Sequence, residues 1–349
     1  MNGELKGNIN MSRPNQAGPA FPQTRLRRNR KTQWARDLTK ESSLSPCDFI
    51  WPIFVREGEN IKEDVTSMPG VVRYSIDRLV DAVAEAESLG ISAVAIFPYL
   101  QPELKDSVGS VATQPDNLIC RAIEKLKAEN LNIGIQCDVA LDPFTNHGHD
   151  GLLSPNGQIM NDETVELLCK QALVQARAGC DIISPSDMMD GRVGEIRRAL
   201  DKNNFGNIQI MSYAAKYASS FYGPFRDALG STSMLSNFSK ATYQMDSRNS
   251  DEAMREIALD IAEGADMIMV KPGLPYLDII YRAKKQFGIP IFGYQVSGEY
   301  AMIKAAANNQ WLEHDGCMME SLIAFKRAGA SGILTYFALD AARFLKNAG

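Results

Sequence analysis

Eight short apolar runs, separated by longer stretches of helical periodicity, constrain the fold of this chain more than any other feature of its sequence. They occupy residues 48–55, 91–97, 131–139, 180–186, 207–215, 265–271, 289–295 and 331–337. Runs that are β-branched and almost continuously apolar are typical of parallel strands covered on both faces. Eight such strands alternating with helices predict an α/β fold, a (β/α)8 TIM barrel.

The stretches between the runs carry helix start and stop signals. SIDRLVDAVAEAESLG and SDEAMREIALDIAEG begin with Ser and Asp and end in Gly, and each leads directly into the next apolar run. Ser and Asp favour helix starts, whereas Gly favours helix ends. A doubly wound open sheet is the alternative fold, although no GxGxxG motif follows the first run.

The length fits one large domain or two ordinary ones, and the composition argues against several function classes. Barrels of this type commonly reach the length of this chain, 349 residues. The formal net charge of -5 gives no reason to expect nucleic acid or an anionic membrane as a partner. No apolar stretch is long enough to span a bilayer, and the N-terminus lacks the apolar segment of a secretory signal. The six cysteines form no CxxC pair, so we expect a reducing compartment, the cytoplasm.

Residues 1–35 are predicted to form an extended N-terminal arm, and residues 36–349 a single barrel domain. The first two dozen residues are polar and contain Gly and Pro, a composition typical of a flexible segment. Residues 25–31 read RLRRNRK. Such a basic run is either a solvated face or an arm that docks on a partner chain.

The C-terminal ends of the predicted strands carry polar side chains. From the third run to the eighth these are Asp138, Asp187, Lys216, Lys271, Tyr294 with Ser297, and Tyr336. TIM barrels place their active sites at this end of the strands. The agreement supports the barrel, because the strands were defined from apolar runs alone.

Two of these residues, Lys216 and Lys271, end consecutive strands, which in a barrel are neighbours about 4.8 Å apart. Two ammonium groups this close lower each other's pKa, and burial lowers it further. A neutral lysine is a nucleophile that forms a Schiff base with a carbonyl substrate. The alternative is that both lysines reach solvent or pair with Asp138 and Asp187.

A long segment, about residues 217–247, separates the fifth strand from its helix and is predicted to be an active-site lid. It contains Arg226 and Lys240, cations suited to binding a substrate carboxylate. The alternative is a surface excursion whose cations face water.

The loop DVALDPFTNHGHDG, after the third strand, is a candidate for a divalent metal site. Asp142, His147, His149 and Asp150 are hard or borderline ligands within a short span. Their spacing is not that of a tetrahedral zinc site of Cys and His. Histidines in such a loop more often serve hydrogen bonding or turn geometry.

Four motifs, MVKPGLPYLD, SPSDMMDGRV, YAAKYASSFYGPFRDA and YQVSGEY, resemble those of the 5-aminolevulinate dehydratase (porphobilinogen synthase) family. The resemblance extends from TRLRRNRK to the C-terminus. It implies a barrel whose N-terminal arm wraps a partner subunit, usually in a homo-octamer of four arm-hugging dimers. It also implies condensation of two 5-aminolevulinate molecules to porphobilinogen, with loss of water, in tetrapyrrole (heme) biosynthesis.

The resemblance assigns roles to the matching residues. Lys271 would form the Schiff base with the substrate of the propionate side (P site), and Lys216 with the substrate of the acetate side (A site). Asp138 and Asp187 would shape the site and handle protons or amino groups. The residues expected to bind substrate are Arg226, Lys240 and Gln244 on the A side, Ser297 and Tyr336 on the P side, and Tyr294.

The chain departs from the zinc-dependent members of this family. Their three zinc-binding cysteines are replaced here by Ala140, Asp142 and Asp150, none of which offers sulfur. The resemblance to the Asp-containing subclass implies stimulation by magnesium, with Glu256 matching the ligand of a remote Mg2+ site. We therefore expect stimulatory or allosteric Mg2+ and no catalytic zinc. A solvated Glu256 and an ion held by Asp142 and Asp150 stay open as alternatives.

Two other functions fit parts of the pattern. A Schiff-base class I aldolase needs one lysine and usually a phosphate-binding loop late in the barrel, but QVSGEY and FALDAARF offer no Gly-rich nest. A catalytically inactive assembly subunit would have lost a lysine or a carboxylate clamp, and none is missing.

Overall fold

The structure, a computed structural model, describes residues 21–230 and 239–348. Residues 1–20 of the predicted arm and residues 231–238 of the predicted lid lie outside these ranges. The chain divides into an N-terminal unit that ends at Ser43 and a unit that begins at Leu44. In its described part the first unit contains a 3-10 helix, Leu26–Arg30, and an α-helix, Gln33–Thr39. The predicted division into an arm over residues 1–35 and a barrel from residue 36 stays a prediction.

Eight parallel strands of the second unit close into a barrel, as the apolar runs predict. We number them β1 (Phe49–Arg56), β2 (Ala93–Tyr99), β3 (Gly134–Val139), β4 (Ile182–Pro185), β5 (Gln209–Lys216), β6 (Met267–Lys271), β7 (Ile291–Gln295) and β8 (Gly332–Thr335). Each strand pairs with the next, and β8 pairs with β1. This closure excludes the open doubly wound sheet.

The strands alternate with α-helices. These are Ile76–Ser88, Leu118–Ala128, Asn161–Ala178, Arg192–Lys202, Gly223–Ala228, Asp251–Glu263, Leu277–Gln286, Ser297–Asn308, His314–Ala328 and Ala338–Ala348. Gly179, Gly264 and Gly329 end three of them at φ of 105°, 108° and 104°, in the left-handed conformation that glycine adopts without strain. None of the helices in the described ranges is long and apolar enough to cross a membrane.

A short hairpin after β1 was not predicted from the sequence. Its strands, Lys62–Asp64 and Val72–Ser75, pair antiparallel, and the second strand continues in parallel beside the C-terminal end of β1. The hairpin therefore lies at the end of the barrel where the predicted site residues are. Its strands are too short and too polar to produce an apolar run.

Candidate active site

Lys216 and Lys271 lie at the C-terminal ends of β5 and β6 and are register partners across these two strands. Both side chains are buried, with 5% and 6% of their surface exposed. Strand order alone predicts this neighbourhood, since parallel strands that follow each other in a barrel are adjacent. The two amines nevertheless have very different surroundings.

Lys216 forms an ion pair. Its Nζ lies 2.8 Å from Oδ1 of Asp150 and also donates to the backbone oxygen of Ser186. The partner is thus neither Asp138 nor Asp187, the two carboxylates that the sequence suggested. Asp150 reaches Lys216 because the loop after β3 folds back across the end of the barrel.

Lys271 is surrounded by aromatic rings. Its Nζ lies 5.2 Å from the ring centre of Tyr213, 5.4 Å from Tyr222, 5.0 Å from Phe225 and 4.6 Å from Tyr294. Within residues 21–230 and 239–348, no hydrogen-bond acceptor holds this nitrogen. Burial, and then the charge of Lys216, lower the pKa of Lys271 to about 7. A large fraction of this amine is therefore neutral at neutral pH.

Two carboxyl groups at the same end of the barrel have raised pKa values. Burial raises the pKa of Asp138 to about 7, and the neighbouring Asp142 adds to the rise. Burial raises the pKa of Asp187 to about 6, although Arg192 opposes the change. One Asp187 oxygen accepts the N–H of Met189 at 2.7 Å. Near neutral pH the carboxyl group of Asp138 is therefore about half protonated and that of Asp187 about a tenth protonated. Carboxyl groups that titrate in this range suit proton transfer.

The described part of the predicted lid brings a third ammonium group to the site. Lys240 Nζ lies 2.8 Å from Oδ2 of Asp150 and 3.4 Å from Oδ2 of Asp142. The hydroxyl of Tyr243 donates to the same Asp150 oxygen at 2.7 Å. Burial alone would raise the pKa of Asp150, but Lys216 and Lys240 hold it well below its ordinary value. Asp150 therefore stays ionised between two lysines.

The predicted P-side residues form a second polar group. The hydroxyls of Tyr294 and Tyr336 are 2.9 Å apart in a hydrogen bond. The Oγ of Ser297 accepts the backbone N–H of Phe225 at 2.9 Å. Since Phe225 lies on helix Gly223–Ala228, Ser297 connects the end of β7 to this helix.

A small cavity of about 30 Å³ joins these groups. Its lining residues are Asp138, Asp142, Ser186, Lys216, Tyr222, Phe225, Arg226, Lys240, Gln244 and Lys271. The predicted catalytic and substrate-binding residues that do not line it are Asp187, Tyr294, Ser297 and Tyr336, and of the residues suggested for metals only Asp142 lines it. A larger groove of about 1020 Å³ between helices Asn161–Ala178 and Arg192–Lys202 contains none of the predicted substrate or metal residues.

Comparison with known proteins decides the family. The model of the family described as delta-aminolevulinic acid dehydratase matches residues 23–344. The chain belongs to this family. Its relatives include a Bradyrhizobium diazoefficiens delta-aminolevulinic acid dehydratase, 59% identical over 93% of this chain and 92% of the relative. A Glycine max protein named chloroplastic delta-aminolevulinic acid dehydratase is 50% identical over 94% of this chain and 79% of its own length.

A solved structure of the same family has the same fold. It is a delta-aminolevulinic acid dehydratase (porphobilinogen synthase) from Toxoplasma gondii in complex with the reaction product porphobilinogen. It is 47% identical, has a TM-score of 0.90, and the match covers 92% of this chain and 91% of that chain. The (β/α)8 barrel of the present chain is thus the same fold as that of a solved dehydratase of this family.

The residues suggested for metals differ in how well they fit a cation. Both oxygens of Asp150 are held by ammonium or phenol groups, and Asp142 lies beside Lys240, so this pair does not fit a metal ion. Glu256 is half-buried and lines a cavity of about 390 Å³ with Asp190 and Glu252. Over the described ranges, no three His, Cys, Asp or Glu side chains are grouped to hold a metal directly.

The two histidines of the loop after β3 take part in hydrogen bonds. His147 Nε2 lies 3.2 Å from the backbone oxygen of Ser107. His149 Nδ1 lies 3.2 Å from the hydroxyl of Tyr243. This is the hydrogen-bonding role that the sequence left open for them.

Sequence reasoning named Tyr294 but missed the other three rings that surround Lys271. Tyr222 and Phe225 belong to the FYGPF segment of the lid, and Tyr213 precedes Lys216 on β5. The cluster of aromatic residues on both sides of Lys216 was a signal for them. Their convergence on Lys271 depends on lid geometry, which no spacing rule gives.

Proposed function

We propose that this chain condenses two molecules of 5-aminolevulinate to porphobilinogen, with loss of water, as a dehydratase of tetrapyrrole biosynthesis. The observation that carries the proposal is the buried pair of Lys216 and Lys271 at register positions of neighbouring strands. Holding both keto substrates as imines requires two amines within reach of each other, whereas an aldolase holds only one substrate in this way. Family membership and the product named for the Toxoplasma gondii structure support the same reaction.

Lys271 is proposed to capture the P-site substrate. With a pKa of about 7, this amine is neutral often enough to attack the keto carbon of 5-aminolevulinate. The resulting carbinolamine loses its hydroxyl as water, which requires a proton donor. Asp138, whose pKa is about 7, lines the same cavity and can supply that proton.

Lys216 is proposed to hold the A-site substrate. Its ammonium group must release a proton before it attacks a carbonyl, and its contact with Asp150 keeps the nitrogen directed at the cavity. Two substrates tethered on Lys216 and Lys271 would react as one molecule, which removes most of the entropy loss of bringing them together. Asp187 would take part in later proton transfers.

The substrate carboxylates are proposed to bind on opposite sides of the lysine pair. Arg226, Lys240 and Gln244 line the cavity and would bind the A-site carboxylate. Lys240 already contacts Asp142 at 3.4 Å, and a substrate carboxylate would take the place of this weak contact.

On the P side, Ser297 and Tyr336 would donate their hydroxyls to the substrate carboxylate, with Tyr294 beside them. The two tyrosine hydroxyls are already hydrogen-bonded to each other, so binding requires an exchange of partners. Both rings are buried near Lys271, which would place the carboxylate close to the amine that holds the same substrate.

We propose further that the enzyme uses no catalytic zinc and is stimulated by Mg2+ at Glu256. Burial raises the pKa of Glu256, although Arg192 opposes the change. The neighbouring acids Asp260, Asp190 and Glu252 raise it slightly further. A divalent cation would offset this excess of negative charge and favour ionised Glu256. Magnesium retains several water ligands, so one protein carboxylate with neighbouring acids suffices for a site.

A homo-octamer built through the N-terminal arms is proposed for the assembly, in the cytoplasm. The basic segment at residues 25–31 supports this proposal, because it offers cations for contact with another chain of net negative charge. Light scattering of the full chain, compared with a variant that lacks residues 1–35, would test it. A mass near eight chains is expected for the full chain and a smaller mass for the variant.

A colour assay for porphobilinogen tests the proposed reaction. Purified protein with 5-aminolevulinate should form porphobilinogen, and Lys271→Met should abolish product. Activity after EDTA treatment should fall and should return with Mg2+ but not require Zn2+. In Glu256→Gln the added Mg2+ should have little effect. Porphobilinogen formation by Lys271→Met at the wild-type rate would contradict the proposal.

A further inference from the structure

Helix Gly223–Ala228 forms part of the active-site wall and is held from outside the cavity. It carries Phe225, one of the rings around Lys271, and Arg226, and both line the cavity. At its N-terminal end the N–H of Phe225 donates to Ser297. At its C-terminal end the helix contacts Arg73, which belongs to the short hairpin after β1.

Arg73 holds the last carbonyl groups of this helix. Its Nε donates to the backbone oxygen of Ala228 at 2.8 Å, and its Nη2 to that of Asp227 at 2.7 Å. The final carbonyls of a helix lack partners within the helix and carry the negative end of its dipole. A guanidinium group satisfies two of them at once through its planar fork, which an ammonium group cannot do. Arg73 is 7% exposed, so water does not compete freely for these oxygens.

The position of the guanidinium group is itself fixed. Its Nη1 pairs with Glu63 at 2.6 Å, and its central carbon lies 4.4 Å from the ring centre of Tyr99. With all three nitrogens bonded and one face on a ring, the side chain has little freedom to follow a displaced helix. Movement of the helix would therefore break charged hydrogen bonds rather than carry Arg73 along.

Further contacts hold the same end of the helix. Lys105, a buried lysine after β2, donates to the backbone oxygen of Leu229 at 3.4 Å. Ser67 donates to the carboxylate of Asp227 at 2.5 Å. The ring of Tyr99 packs so closely under Gly230 that a Cβ there would lie 2.7 Å from it. These residues come from separate segments of the chain, so several independent contacts fix the C-terminal end of this helix.

We propose that Arg73 is a positioning residue for substrate binding: by holding the C-terminal end of helix Gly223–Ala228, it keeps Arg226 and Phe225 directed into the cavity. The inference rests on the proposed function. Arg73 does not line the cavity, so it acts through the helix and not on the substrate. The orientation of Arg226 decides the affinity for the A-site carboxylate. The helix contributes only one of the four rings around Lys271, Phe225, so the chemistry at that amine should be affected less.

Arg56 provides a matched control. It is an arginine at the end of β1 that also pairs with Glu63, and its central carbon lies 5.6 Å from the same Tyr99 ring. Among the described residues it donates no hydrogen bond to helix Gly223–Ala228. Loss of Arg56 therefore perturbs the hairpin without releasing the helix.

The test compares kcat and KM for porphobilinogen formation in wild type, Arg73→Met, Arg73→Lys and Arg56→Met. Loss of charged hydrogen bonds in Arg73→Met should raise KM by about tenfold or more, with a smaller fall in kcat. Arg73→Lys should lie between wild type and Arg73→Met, and Arg56→Met should stay within about twofold of wild type. Borohydride trapping at saturating 5-aminolevulinate should still label Lys271 in all variants.

An unchanged KM in Arg73→Met, or an equal rise in Arg56→Met, would overturn the inference. If Arg73→Met does not fold, Arg73→Lys carries the same test, because it retains the charge beside Glu63 but loses the fork. A wild-type protein that forms no porphobilinogen would refute the proposed function itself. An active wild type together with an unchanged KM in Arg73→Met would refute the inference alone.

Discussion

Lys216 donates a 2.8 Å hydrogen bond to Asp150, and this contact makes two neighbouring lysines chemically unequal. The carboxylate balances the charge of Lys216. Lys271, one strand over, has aromatic rings in place of an acid, and its pKa falls to about 7 through burial and the charge of Lys216. The charge of Lys216 thus helps to keep Lys271 neutral. The site therefore has one amine that can attack directly, Lys271, and one that is first held by a carboxylate, Lys216.

Imine formation at Lys271 should follow the pKa of this residue. Below about pH 7 the amine is protonated, so the rate of trapping should rise about tenfold per pH unit as the pH approaches 7. Above about pH 7 the rate should fall again, because Asp138, the proposed proton donor, ionises. Borohydride reduction with 5-aminolevulinate at a series of pH values, with the adduct located by mass spectrometry, measures this rate. Lys271→Met gives the background. A rate that keeps rising to about pH 10, as expected for an ordinary lysine, would contradict the assignment.

Asp150→Asn should strongly destabilise the protein. The substitution leaves the buried ammonium group of Lys216 without a carboxylate partner and leaves Lys240 with only its 3.4 Å contact to Asp142. Removal of one partner of a buried pair typically costs about 3–5 kcal/mol. Urea unfolding of wild type and variant measures the change. Asp142→Asn is the matched control: it contacts Lys240 alone, at 3.4 Å, and should cost about 1 kcal/mol or less. Equal losses in the two variants would show that Asp150 has no special role.

The barrel could be predicted from the sequence because its physical cause is local. A strand buried on both faces must be apolar almost throughout, and this property is visible residue by residue in β1 and β6. Helix ends such as Gly179 and Gly264 are equally local signals. That Lys216 and Lys271 end neighbouring strands followed from strand order alone, whereas their register, which includes a shift between Ser212 and Ala215, did not.

The partners of these lysines could not be predicted in the same way. Asp150 lies beside Lys216 because of the path of a loop, and chain spacing does not specify that path. The hairpin that carries Arg73 is short and half-polar, so it leaves no periodic signal. Contacts that depend on how loops fold over the end of the barrel could therefore be identified only from the structure.

Glu299 should make the stability of the protein depend on pH. Its buried carboxylate accepts the N–H groups of Gly273, Leu274 and Val296, and burial raises its pKa from 4.5 to about 7. A raised carboxyl pKa contributes stability that is fully present below about pH 4.5 and is lost as pH rises through about 7. The loss amounts to about 1.4 kcal/mol per pH unit within this window.

Glu299→Gln removes this titration while keeping the shape of the side chain. The free energy of unfolding of wild type should therefore fall more steeply than that of the variant between about pH 5 and about pH 7. Urea unfolding at several pH values gives both slopes. Asp138 and Asp187 titrate in the same range in both proteins, so the difference between the slopes isolates Glu299. Parallel slopes would refute the assignment.

Tyr213→Phe should separate stability from activity. The Tyr213 hydroxyl is buried and has no hydrogen-bond partner within the described residues, although its ring lies beside Lys271. An unpaired buried hydroxyl costs about 1–3 kcal/mol, so its removal should leave the free energy of unfolding unchanged or raise it. If the hydroxyl serves the substrate on Lys271, kcat should nevertheless fall by about tenfold or more.

Tyr217→Phe is the control for this pair of effects. Tyr217 directly follows Lys216, and its hydroxyl donates to the backbone oxygen of Asn249 at 2.9 Å. Its removal should lower the free energy of unfolding by about 1 kcal/mol, because a satisfied hydrogen bond is lost, and should leave kcat nearly unchanged. Thermal unfolding and the porphobilinogen assay measure both quantities for both variants. A Tyr213→Phe enzyme that is less stable and fully active would show that the hydroxyl serves the fold and not the substrate.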